Sequence, residues 1–142
     1  MGTIYQVDDE NRNELENLDD LSDWYNYMGA IGLEDTIQCD LEDSWPLWRE
    51  ATQKLDSPLS LLFVGELRPN EYEGGDPSVG FIGASAVRDI HNIFQNQGKA
   101  YFSSLIKACG FSSDPDIWLY EELRDFFENC SKKDKAVLFF LS

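Results

Sequence analysis

Positive charge is what this 142-residue chain has least of: 11 Lys and Arg and one His stand against 27 Asp and Glu, a formal net charge of −16. A surface of that sign repels phosphate backbones and anionic lipid, so the expected partners include neither nucleic acid nor membrane. The single histidine, His91, excludes a two-histidine zinc site, and Cys39, Cys109 and Cys130 form no CxxC pair that would make up the ligands. No metal or other cofactor is expected. An odd number of isolated cysteines fits free thiols in a reducing compartment. No apolar run approaches the ~20 residues of a membrane helix. The first ten residues also lack the basic and apolar regions of a signal peptide, so the expected location is cytoplasmic.

Catalytic signatures are missing as well. There is no Walker A loop, no GxGxxG and no GxSxG. Gly83-Ala84-Ser85-Ala86 starts like a nucleophile elbow but continues into Val87, where the elbow requires glycine. Asp40-Leu41-Glu42-Asp43 lacks the glycine and alternating ligands of a calcium loop. A Cys–His pair, with His91 as base toward Cys39 or Cys109, is conceivable in residue type, but nothing in the spacing brings the three together.

What the chain does contain suits an ordered globule. Apolar residues make up 42% and aromatics 13%, enough to oppose disorder despite the charge. A chain of this length buries roughly 68–70% of its unfolded surface without needing disulfides or metal. No linker, repeat or low-complexity tract divides it, so residues 1–142 read as one domain. The charge is uneven: residues 1–50 hold 14 acidic and 2 basic side chains, net −12, and residues 51–142 hold 13 and 9, net −4.

The last stretch organises the rest. Asp114 and Pro115 read as the N-cap and first position of a helix with Ile117, Tyr120, Leu123, Phe127 and Cys130 on one face. After a polar turn, Ala136 to Leu141 is continuously apolar, as in a strand buried on both faces. Upstream, Thr3–Val7 reads as a strand, followed by two short helices through Leu15–Leu18 and Leu21–Met28. A further helix is read from Asp40, or from Ser44 or Trp45 if Pro46 stands in its first turn. The run Ser57–Gly65 fits either a strand or a short helix. Val79–Ile82 reads as a strand, and helices follow over Ser85–Gln97 and Lys99–Cys109. The expected fold is therefore α+β: a small mixed sheet with its C-terminal strand buried, packed by several helices.

The clearest loop runs from Glu66 to Ser78 and is longer than most connections in compact domains. It carries Glu66, Arg68, Glu71, Tyr72, Glu73 and Asp76, and tyrosine among carboxylates suits a surface that meets lysine or arginine. These six are the candidate partner-binding residues.

Several segments together resemble the YfbM-like family, a bacterial domain of unknown function. They are Met1-Gly2-Thr3-Ile4, the run Asp56-Ser57-Pro58-Leu59-Ser60-Leu61-Leu62-Phe63, the Gly-Asp-Pro turn before Val79, and Lys135-Ala136-Val137-Leu138-Phe139-Phe140-Leu141-Ser142. The resemblance implies an α+β domain and carries over no activity or catalytic residue. Where the family has an aromatic-glycine-proline segment with a basic residue before the strand, this chain has Gly75-Asp76-Pro77-Ser78-Val79. Any ligand contact made by that basic residue would be lost here. The expected function is that of a non-enzymatic acidic binding protein, such as an immunity protein or inhibitor that neutralises a basic protein. The alternative is a small-molecule-binding domain or enzyme with a pocket near residues 66–78.

Overall fold

The computed structural model describes residues 2–69, 79–110 and 117–141. Strands β1 (Gly2–Val7), β2 (Gln38–Glu42), β3 (Val79–Ile82) and β4 (Ala136–Leu141) form one sheet in the order β2-β1-β4-β3. All three pairings are antiparallel, so the expected mixed sheet is corrected: no described crossover returns a strand in the same direction. β4 lies between β1 and β3, with Leu138 opposite Tyr5 on one side and Phe81 on the other. Its continuous apolar run follows from that position, because both faces and both edges are covered.

The strand period of two sorts side chains into two cores. Val137, Phe139 and Leu141 of β4, with Ile4, Cys39, Leu41 and Ile82, face the larger core. Helices α3 (Trp45–Thr52), α4 (Ala84–Asn96), α5 (Lys99–Ala108) and α6 (Leu119–Lys132) cover that side. Its centre is aromatic. Phe94 stacks on Phe102 at 4.7 Å and lies 6.1 Å from Phe127, and Trp48 sits 5.6 Å from Phe102. On the other face Val7, Val79, Phe81, Ala136 and Leu138 meet Leu15, Trp24, Met28 and Leu33. These belong to α1 (Asn11–Leu15), α2 (Leu21–Ala30) and a 3-10 turn over Leu33–Asp35. The acidic segment from α1 to the 3-10 turn, residues 11–35, is thus a thin layer laid over one side of the sheet.

Two close approaches fix the sheet. A Cβ at Gly80 would stand 2.3 Å from the Phe139 ring, so glycine there lets the aromatic lie flat across β3. Gly65, at φ +87, turns the chain so that Leu67 bridges to Phe81 along the outer side of β3.

Two readings with alternatives resolve. Of the starts read for the helix after Asp40, the later one holds, at Trp45 with Pro46 in its first turn, and the acidic approach is the strand β2, whose burial alternates along Gln38–Glu42. The run after Ser57 is a 3-10 helix, Pro58–Leu61, with Ser57 Oγ accepting from Leu59 N at 3.0 Å. The Asp114–Pro115 helix start lies outside the described residues, and α6 is described from Leu119.

Candidate binding surface

Of the 14 carboxylates in residues 1–50, all are exposed except Asp20, which is half-buried. Asp20 caps α2, accepting from Asp23 N at 2.8 Å. The two arginines of this region are both engaged. Arg12 reaches Glu66 at 3.4 Å and lies 5.5 Å from the Phe81 ring centroid. Arg49 is buried with its guanidinium 4.5 Å from the Trp45 ring centroid. Lys135, from the far end of the sequence, pairs with Asp8. The sequence asymmetry therefore becomes a surface asymmetry.

The covering layer of α1 and α2 does not reach the whole sheet. Thr3 lies directly between Asp40 on β2 and Phe140 on β4, and Tyr5 lies between Gln38 and Leu138. Directly opposed residues share a face, so Asp40, Thr3 and Phe140 form one row and Gln38 and Tyr5 part of the next. Asp40, Gln38 and Glu42 are exposed, and Thr3, Tyr5 and Phe140 are half-buried. Tyr25 of α2 borders the patch, 39% exposed, with its ring 5.7 Å from that of Phe140. The result is a carboxylate edge beside three aromatic rings.

Among the six residues singled out in the long loop, Glu66 and Arg68 are described and both are exposed. Glu66 serves the fold: its Oε1 accepts from Gly83 N at 2.6 Å at the start of α4, beside Asp9, whose Oδ1 accepts from Ala84 N at 2.8 Å. Together they satisfy backbone donors that the α4 N-terminus would otherwise leave open. Glu71, Tyr72, Glu73 and Asp76 lie outside the described residues.

A cleft of about 350 Å³ opens at the end of the sheet where β1 and β4 meet the approach to β2, lined by Gln6, Asp8, Asn11, Asp35, Thr36 and Lys135 together with Val7, Ile31 and Ile37. None of its lining residues belongs to the segment 66–69. Many of its polar groups are paired internally. Asn11 Nδ2 donates to the Asp8 carbonyl at 2.9 Å, the Tyr27 hydroxyl donates to Asn11 Oδ1, and Thr36 Oγ1 donates to the Leu33 carbonyl at 2.7 Å. Burial, with Glu14 nearby, raises the Tyr27 phenol above its ordinary value.

The two buried thiols are not poised for chemistry. Burial first, then Glu122 and Asp40, pushes Cys39 up to about 12, and burial pushes Cys130 to about 11 although Gln6 Nε2 donates to its sulfur at 3.3 Å. His91 is buried on α4 with Nδ1 unpartnered, and among the described residues no hydrogen bond joins it to Cys39 or Cys109. No group of three or more metal-ligating side chains is found among the described residues.

The architecture defined above is an α+β domain in which one antiparallel sheet carries a thick helical layer and a thin acidic one. It is the YfbM fold: the crystal structure of a protein of unknown function, YfbM from Escherichia coli, superposes with a TM-score of 0.64 over 99% of both chains at 15% identity. At that identity the likeness speaks for the fold alone. No protein-family model matches the sequence, and no curated protein does.

Proposed function

We propose that this protein is a non-enzymatic, cytoplasmic binding protein whose acidic sheet face takes up a basic protein partner, as immunity proteins and inhibitors do. The observation that carries the reading is the row Asp40–Thr3–Phe140, which α1 and α2 leave partly exposed among the described residues, with Tyr5, Tyr25 and Glu42 beside it. Carboxylates accept charge-assisted hydrogen bonds from lysine and arginine, and flat aromatic faces beside them hold the same cations. Aromatic anchors ringed by charge are the usual core of a specific interface.

The loop residues Arg68, Glu71, Tyr72, Glu73 and Asp76 belong to the same proposal as an outlying contact. β2 and β3 bound the sheet three strand spacings apart, roughly 14 Å. A typical interface of about 800 Å² per partner is wider than that. Glu66 is left out of the contact because its carboxylate is already committed to α4.

The test is capture of partners from the native host's lysate at about 0.1 M salt, followed by reconstitution with the purified captured protein. Raising salt to about 1 M shortens the Debye length from ~10 Å to ~3 Å. The expected result is a basic protein whose affinity falls at least about tenfold over that range. A captured protein that is not basic, or binding indifferent to salt, contradicts the proposal.

A further inference from the structure

β2 ends the strand order, so one of its edges has no strand against it among the described residues. The register decides which backbone groups point that way. Ile4 pairs with Cys39 and Tyr5 with Gln38, and the next position outward has Gln6 N donating to the Ile37 carbonyl at 2.9 Å. Hydrogen-bonded and non-bonded pairs alternate along an antiparallel ladder. Gln6–Ile37 and Ile4–Cys39 are therefore the bonded pairs, and the N–H and C=O groups of Gln38 and Asp40 turn away from β1. Among the described residues these four groups have no backbone partner, and the Asp40 carbonyl meets only Cys39 Sγ, at 4.0 Å.

The side chains at these positions give the edge a sign. Gln38 and Asp40 are exposed on the face opposite buried Cys39 and Leu41, and a register shift between Gly2 and Thr3 sets exposed Glu42, at φ +49, opposite Gly2 at the end of the strand. We propose that β2 accepts an extended, basic segment of a partner protein as an added strand. Its main chain would bond to Gln38 and Asp40, and lysine or arginine at every second position would share the face of Asp40, with Glu42 at the strand end adding negative charge. This rests on the reading of the protein as a binder of a basic partner. A second copy of the chain is a poor occupant, since antiparallel self-pairing centred on Asp40 would set two Asp40 carboxylates against each other. Acidic side chains along an edge also discourage aggregation, and protection of the edge without binding is one outcome of the test.

The experiment uses the full chain and two capped peptides of equal charge, Lys-Val-Lys-Val-Lys-Val-Lys and the same peptide N-methylated at every lysine amide, which removes the donors that an antiparallel added strand would turn toward Gln38 and Asp40. Affinities are measured by calorimetry at low salt, with amide hydrogen exchange followed residue by residue. The unmethylated peptide is expected to bind at least about tenfold tighter than the N-methylated one, a difference of ~1.4 kcal/mol. It is also expected to slow exchange at Gln38 and Asp40, with Asp40→Asn weakening it and not altering the melting temperature. Equal binding of the two peptides without protection at those amides overturns strand addition and leaves charge-driven binding standing. Failure of both peptides to bind, the edge serving only to keep sheets apart, overturns strand addition and counts against the parent reading as well.

Discussion

At the scale of single residues, the fold is held by a few buried contacts that leave two of the three thiols, Cys39 and Cys130, inert. Cys39 and Cys130 ionise near 12 and 11 in the folded protein against an ordinary value of 9.0, chiefly because burial penalises the thiolate. In the unfolded chain both would ionise from about pH 9. Their contribution to stability is therefore complete below pH 9 and is lost progressively as pH rises through the folded values. Stability measured by denaturant titration should decline from about pH 9 upward, and Cys39→Ala should flatten the decline. At neutral pH a thiol reagent should modify the half-buried Cys109 first and reach Cys39 and Cys130 only on unfolding.

At the scale of elements, the α4 N-terminus depends on two side chains from elsewhere in the chain, because its own N-cap, Gly83, offers none. Glu66→Ala removes the acceptor for Gly83 N and should destabilise the protein by about 1 kcal/mol, within the usual range for a lost cap. Glu66→Gln keeps an oxygen in place and should cost less; the melting temperatures of the two variants check the order. This role was not legible in the sequence, where Glu66 looks like any carboxylate of a loop. The partner, the Gly83 amide, is 17 residues away and is brought there by the turn at Gly65 and the Leu67–Phe81 bridge. β1, β3, β4 and helices α4 to α6 were legible, because their periodic apolar residues are the ones that become buried. β2 was not. Asp40 and Glu42 look like a helix approach, and the alternation of Cys39 and Leu41 that marks the strand is only two residues long. The surface patch was invisible for the same reason, since it exists only once Asp40 stands beside Thr3.

At the scale of the whole molecule, charge and topology oppose each other. A net charge of −16 on a chain of this size repels itself, and the acidic layer lies over only one face of the sheet. Raising salt from about 0.1 M to about 1 M should therefore raise the melting temperature by a few degrees while weakening partner binding. A melting temperature that falls with salt would mean that the ion pairs, such as Arg12–Glu66 and Lys135–Asp8, outweigh the repulsion. β4 closes this arrangement from the centre of the sheet and carries Phe140 into the patch, so the most buried strand also presents part of the proposed surface. The central claim is that the carboxylate edge beside those aromatics is what a basic partner recognises. Its most direct test is the dissociation constant of the reconstituted complex for the double variant Asp40→Asn, Glu42→Gln at fixed low salt, which removes both charges but keeps the Asp40 oxygen that accepts from Glu42 N at 2.9 Å, with the melting temperature measured alongside. The account predicts binding weakened by at least about tenfold on an unchanged fold; affinity equal to that of the unsubstituted protein would contradict it.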